Sequence, residues 1–286
     1  MKQFIVENYP VPQSEIELRG RAYNYLVRVR RHREGNVLDL AFANGEKLSY
    51  TLVRVDRVKK ILYLKATSPK SRIETSNPKT KVKAPVFDLI LLQWMLKPAK
   101  MDIVVRQATE LGVRYIVPIF GEYSVVQVQK ETKQKRYERI IKEARQQSNS
   151  PVLTEVLPAC RLEDALADLT EDAQFYSSLS RKQSNLQNIL TAKKPSFKSK
   201  NMIKLYFTEK DIEQKSLISI LKEPAGSLVL AVGCEGGISP REYELLKEAK
   251  FLACHFQTNI LRAETAALYA LAVVQTIKNE LLYGEF

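Results

Sequence analysis

Two histidines, His32 and His255, and three cysteines, Cys160, Cys234 and Cys254, are all the imidazole and thiol groups in this chain of 286 residues. The cysteines are odd in number and none belongs to a Cys-x-x-Cys pair, so no metal site is expected and the thiols read as reduced, in a cytosol. No segment approaches 18 uninterrupted apolar residues, and the first residues, MKQFIVENYPVPQ, lack the apolar core of a signal peptide. The expected setting is therefore cytoplasmic, with no membrane partner. No internal repeat is visible. Acidic residues are also scarce: 32 against 45 Lys and Arg give a formal charge of +13 and a pI near 9.5. Such an excess attracts polyanions, of which nucleic acid is the commonest in a cell.

With 45% apolar residues the chain has material for one large core or two smaller ones, and two domains are expected. From about residue 20 to 67 the pattern is one of short alternating strands, NVLDLAF, KLSYTLVRV and KILYLKAT, with Asn44-Gly45 as a hairpin turn between the first two. Residues 1–75 carry 15 Lys or Arg against 8 acidic residues, and Arg28, Arg30, Arg31 and Arg33 fall within six positions. That cluster suits either an ordinary solvated face or the phosphates of an RNA. A polar linker, SPKSRIETSNPKTKVKAP, follows.

Beyond it the grammar changes to strands alternating with helices. VFDLILLQWML and RYIVPIF are apolar enough for strands buried on both faces, and KPAKMDIVVRQATELGV has helical spacing with Pro98 near its start and Gly112 at its end. The alternation continues through NMIKLYF, SLVLAVG, REYELLKEA, FLACHF and ETAALYALAVVQTIKNELL, which is the signature of an α/β domain with a parallel sheet covered by helices. Residues 177–201, rich in Lys and Ser, read as a polar insertion.

Two loops in this half invite a ligand. The apolar run SLVLAVG ends in Gly233-Cys234-Glu235-Gly236-Gly237, and Ser239, Pro240 and Glu242 then announce a helix, as N-cap, first-turn proline and third-position glutamate. Glycines placed there permit close backbone approach and positive φ, at the strand ends where open α/β sheets bind ligands. An ordinary tight strand-to-helix turn would look the same, and the loop matches neither Gly-x-Gly-x-x-Gly nor a phosphate loop ending in Gly-Lys-Ser/Thr, so an oxidoreductase on a dinucleotide fold lacks its fingerprint. About twenty residues later FLACHFQTNILRAETAALYALAVV repeats the arrangement. There Arg262 stands at a helix start, where the dipole disfavours a cation unless a ligand or a carboxylate such as Glu264 or Glu235 holds it.

KPAKMDIVVRQATELGV, GCEGGISPRE and NILRAETAALYALAVVQ, in that order behind a small β-unit, resemble the RsmE family over nearly the whole chain. Those bacterial enzymes methylate N3 of one uridine in 16S ribosomal RNA with S-adenosylmethionine. The resemblance implies a PUA-like RNA-binding β-barrel over residues 1–75 and, over 76–286, a SPOUT methyltransferase domain whose C-terminal part forms a trefoil knot, an exception to the rule that chains do not thread themselves. It implies that Thr208, Glu209, Val232, Gly233, Glu235, Gly236, Phe256, Asn259, Ile260, Leu261 and Thr265 hold the cofactor, that Arg262 and Glu264 serve catalysis, and that Arg28, Arg30, Arg31, Arg33 and Lys97 face RNA. It implies a homodimer, with the apolar helix from Thr265 to Leu282 as a contact, and 16S RNA or the assembled small subunit as partner. Uridine N3 carries a proton near neutral pH, so transfer needs that proton removed or the anion stabilised. Arg262 is the expected stabiliser of charge on the uracil oxygens; Glu264 or Glu235 either orients it or takes the proton. His255 falls within what reads as a buried strand and is given no role.

The chain departs from the family pattern in several places. Gly-Pro-Glu-Gly-Gly reads Gly233-Cys234-Glu235-Gly236-Gly237, and Leu-Gly-x-Arg reads Phe256-Gln257-Thr258-Asn259. Glu-Gln-Ser-Gly-Arg becomes Gln146-Gln147-Ser148-Asn149-Ser150, and an Arg before Ser124 becomes Tyr123. Lost arginines are lost phosphate or base contacts, so a shifted RNA target and a non-catalytic RNA-binding or ribosome-assembly protein stand as rival readings.

Overall fold

The structure, a computed structural model, describes residues 4–6, 8–42, 46–67, 87–126, 132–170, 201–210, 212 and 215–284. The Asn44-Gly45 turn, the linker at 68–85 and all but the last residue of the 177–201 segment lie outside the described residues. The chain divides into two compact units, one of residues 1–83 with 146–151 and one of 84–145 with 152–286.

In the first unit β1 (Phe4–Ile5), β2 (Glu15–Arg19), β3 (Val37–Ala41), β4 (Lys47–Asp56) and β5 (Ile61–Ala66) form a sheet in the order β1-β3-β4-β5-β2. All neighbours are antiparallel except β1 and β3. Alternation in the sequence sets the inner face: Ile16 and Leu18, Leu38 and Leu40, Tyr50 and Leu52, Leu62 and Leu64 are all buried in one cluster. The expected run of strands from residue 20 fails at its start, because α1 (Arg21–Tyr23) leads directly into a π-helical turn over Asn24–Val29. Tyr23 and Leu26 put one side of that turn into the core, so tertiary burial outweighs the β-branched character of its valines.

The second unit is built on β6 (Asp88–Trp94), β7 (Tyr115–Ile119), β8 (Glu155–Val156), β9 (Met202–Phe207), β10 (Ser227–Val232) and β11 (Leu252–Cys254). They lie in the order β11-β9-β10-β6-β7-β8 and every pair is parallel. Every residue of β7 and β10 is buried, as is all of β6 after Asp88, which is why these strands read as unbroken apolar runs. Leu252, on the edge strand β11, is exposed.

Among the described residues the helices that follow are α2 (Pro98–Glu110), α3 (Thr132–Ser148), α4 (Leu162–Thr170), α5 (Leu217–Lys222), α6 (Pro240–Glu248) and α7 (Ala263–Tyr283). α7 packs on α2, α5 and β10, while α4 packs on α6 and β7. The chain runs β6, β7, β8 to one side, then returns to lay β9, β10 and β11 on the other, so the β6–β10 pair is the point where strand order reverses. Gln93, fully buried, bonds through Nε2 to Val232 O and Gly233 O at 3.3 Å each, tying these two strands together at their carboxyl ends.

Candidate active site

The glycine loop leaves β10 at Val232 and turns back at once: Gly237 N donates to Cys234 O at 3.0 Å, and the Cys234 thiol donates to Gly237 O at 3.4 Å. Each glycine has its own reason. A Cβ on Gly233 would lie 2.9 Å from the Gly237 carbonyl carbon, a backbone atom that cannot step aside. One on Gly236 would lie 2.9 Å from Tyr123 Cβ, and Gly237 has φ +79°. Two of the three glycines thus serve the loop's packing on itself and on Tyr123, and the third its turn.

α6 begins as its sequence predicts. Ser239 Oγ accepts from Glu242 N at 3.2 Å and Glu242 Oε2 accepts from Ser239 N at 2.8 Å, a complete capping box with Pro240 in the first turn. Glu242 does more than cap. It is buried, and its Oε1 accepts from Trp94 Nε1 and Glu122 N, each at 3.0 Å. One carboxylate therefore satisfies three donors, from the end of β6, the loop after β7 and the start of α6.

Around this loop the segments after β9, β10 and β11 enclose a cavity of about 490 Å³, within the range of small-molecule sites. Thr208 and Glu209 line it from β9, Val232 to Ile238 from β10, and His255, Phe256 and Thr258 to Arg262 from β11. Thr208 is the junction: its N donates to Cys254 O at 3.0 Å, its Oγ1 accepts from Tyr243 Oη at 3.2 Å, and its carbonyl lies 3.1 Å from His255 Nδ1. Phe256 stacks on Phe207 and meets Tyr269 of α7 edge-on, both at 5.0 Å between centroids.

The residues singled out in the sequence for the cofactor come together here except Thr265, which is exposed on the first turn of α7 and does not line the cavity. Of the two singled out for catalysis, Glu264 is turned inward and does not line it either. Arg262 is the N-cap position of α7, is exposed, and lines the cavity wall. Of the two readings left open for it, a ligand or a carboxylate, no ion pair with Glu264 or Glu235 is seen among the described residues, because Lys100 takes both: its Nζ lies 3.1 Å from Glu235 Oε1 and 3.2 Å from Glu264 Oε2. Those carboxylates raise the Lys100 ammonium above its ordinary range, Glu235 foremost. Burial alone would push the Glu264 carboxyl up; its own backbone amide and the Lys100 charge outweigh that and hold it down.

Sequence reasoning missed Lys100, although it stands inside KPAKMDIVVRQATELGV. The signal available was a cation in the first turn of a helix, the same dipole argument that selected Arg262. The reading of His255 as part of a buried strand is corrected too: β11 ends at Cys254, which brings His255 to the cavity. Lys97 is the exposed N-cap residue of α2, and Arg28, Arg30, Arg31 and Arg33 belong to the first unit, with Arg31 at φ +58°. Gln257, where the family pattern has Gly, is not among the residues of positive φ, so no narrowing of the loop follows from that change. Among the described residues no group of three or more His, Cys, Asp or Glu stands where it would hold a metal ion, and no helix is long and apolar enough to cross a membrane.

Residues 82–275 match the family model of the RNA methyltransferase domain. The chain is 30% identical over 200 residues to the ribosomal RNA small subunit methyltransferase E of Aquifex aeolicus, covering 67% of this chain and 70% of that protein. It is 24% identical over 269 residues to the protein of the same name from Bacillus subtilis, covering 93% of this chain and 91% of that one. Among solved structures it shares the fold of the ribosomal RNA small subunit methyltransferase E from Neisseria gonorrhoeae bound to S-adenosyl methionine, with a TM-score of 0.68, 24% identity, and 97% and 98% of the two chains covered. A cavity ringed by three strand-end loops, on a fold shared with these enzymes and in a sequence matched over most of its length, has one family to go with it: the chain belongs to the RNA methyltransferases of the ribosomal RNA small subunit methyltransferase E family.

Proposed function

We propose that this protein methylates N3 of a uridine in 16S ribosomal RNA, with S-adenosylmethionine as methyl donor. The observation that carries the reading is the convergence of Thr208–Glu209, Val232–Ile238 and His255–Arg262 on one cavity, with Arg262 on its wall. The cavity suits such a donor. Val232, Ile238, Leu261 and Ala266 offer apolar wall, the Gly233–Gly237 loop offers main chain, and Glu209 offers a carboxylate for hydroxyl or cationic groups. S-adenosylmethionine, when bound, supplies an electrophilic methyl group on a cationic sulfur.

The chain's own residues do the rest. The Gly233–Gly237 loop and the Phe256–Leu261 segment bind and orient, excluding water from the cavity floor. Arg262, which makes no side-chain ion pair among the described residues, is the catalytic residue: its guanidinium stabilises negative charge on the uracil oxygens as N3 loses its proton. Glu264 and Glu235 are both tied to Lys100, which suits them better to positioning than to taking that proton.

On the same reading residues 1–75 are a PUA-like barrel whose Arg28, Arg30, Arg31 and Arg33 meet RNA phosphates. Residues 76–286 are a SPOUT domain with a trefoil knot near the cavity, and α7 is part of a homodimer contact, with Tyr269, Leu282 and Tyr283 exposed along it. The protein works in the cytoplasm, on 16S RNA or the small subunit. The test is calorimetric titration with S-adenosylmethionine, with NAD and ATP as controls, on protein sized by light scattering. Selective binding by a species of twice the 32.7 kDa chain mass is expected. A folded protein that binds none, with or without small-subunit RNA, would instead be an RNA-binding scaffold.

A further inference from the structure

Three segments far apart in sequence are joined at one nitrogen. Lys100 is in the first turn of α2, after β6; Glu235 is in the loop after β10; Glu264 is in the first turn of α7. A cation in the first turn of a helix faces the positive end of its dipole, and a Lys without a compensating partner would be better placed elsewhere. Lys100 has two such partners. Its side chain is only 28% exposed and is shared between two carboxylates that would otherwise repel each other.

Glu264 is the less independent of the two. Its Oε2 is buried and receives no well-aligned hydrogen bond, so the Lys100 ammonium at 3.2 Å is what compensates it. The other charge in its field is Arg262, two residues before it in the chain. If Lys100 were absent, the carboxylate would lose its nearest cation, and the guanidinium two residues before it would be drawn toward it from the cavity wall while compensating it only in part.

Resting on the methyltransferase reading, we propose that Lys100 is a positioning residue that clamps Glu235 and Glu264 and so keeps the Arg262 guanidinium out of ion pairs and available to the substrate. The charged groups around the clamp are few. Lys100 faces Glu235 and Glu264; Glu264 faces Lys100 and Arg262; Glu209 and His255 share the cavity wall; β10 contributes no charged side chain, and Lys222 of α5 does not enter the field of Glu264. Because Lys100 favours the charged form of Glu264, removing Lys100 raises the pH at which Glu264 takes a proton.

The experiment compares the wild type with Lys100→Met and Lys100→Arg, with Lys100→Gln replacing the Met variant should that one not fold. Glu264 is titrated in the unliganded proteins by carbon-13 NMR of glutamate-labelled samples, and methyl transfer to small-subunit RNA is measured as a function of pH. In Lys100→Met the Glu264 midpoint is expected to move to higher pH. Its kcat is expected to fall about tenfold or more while KM for S-adenosylmethionine changes less than about threefold, and Lys100→Arg should restore most of kcat. An unchanged Glu264 midpoint overturns the proposal whatever the activity, and so does a loss concentrated in KM or one that Arg fails to rescue. A midpoint that moves in Lys100→Met, together with a wild type that transfers no methyl group, would leave the Lys100–Glu264 contact standing and remove the enzyme reading instead.

Discussion

At the scale of single residues the site is defined by what each charged group touches. Arg262 lines the cavity without an ion pair among the described residues, whereas Glu264, two residues on, is committed to Lys100. Arg262→Ala should therefore lower kcat by about 10²-fold or more, the size seen when one preorganised donor to a developing anion is lost. Affinity for S-adenosylmethionine, read by calorimetry, should change far less; a loss confined to that affinity would make Arg262 a cofactor ligand. The departures from the family pattern also resolve residue by residue. Asn149, where the family has Gly, takes φ +57°, and Asn is among the few residues other than Gly that enter this region readily. Cys234, in place of Pro, uses its thiol to close the loop onto Gly237 O.

At the scale of elements, α6 shows how local chemistry and long-range packing share one residue. Ser239 caps its own helix and also meets the exposed edge of Glu122, whereas Glu242 in the buried interior satisfies Trp94 and the Glu122 amide. Ser239→Ala should cost about 1 kcal/mol, the usual worth of an N-cap hydroxyl. Glu242→Ala should cost about 3 kcal/mol, because three donors are left without an acceptor in a buried site. Denaturant unfolding would separate the two, and equal losses would mean that Glu242 contributes only its cap. Gly121 belongs to the same arrangement: a Cβ there would lie 2.0 Å from Trp94 Cδ1, so the indole can reach Glu242 only past a glycine.

At the scale of the whole molecule the charge is the organising quantity. The net +13 is unevenly spread, and the four arginines between Arg28 and Arg33 lie at the end of a helical turn in the first unit rather than on a strand. Replacing Arg28, Arg30 and Arg31 with Gln should weaken RNA binding and reduce the slope of log K against log salt by about 2, at about 0.7 per single-stranded phosphate contact. An unchanged slope would take this cluster out of the RNA footprint. The substitutions are at exposed positions, so stability should stay within about 0.5 kcal/mol of the parent in thermal unfolding.

Much of this was legible in the chain itself. The unbroken apolar runs of β6, β7 and β10 could only be strands covered on both faces, and the Ser239-Pro240-Glu242 signal placed the start of α6 to the residue, because caps are local chemistry. The alternation in β3, β4 and β5 marked an inner face for the same reason: a period of two is written in neighbouring residues. What only the tertiary structure decided was which distant residues meet. That Lys100 rather than Arg262 would hold Glu235 and Glu264 depends on strand order, with β10 beside β6 and α7 packed on α2, and no spacing along the chain records it. In the sequence the glycines after β10 look like room for a ligand. Packing assigns two of them to the loop's contacts with itself and Tyr123, because a Cβ clash is a fact about neighbours in space.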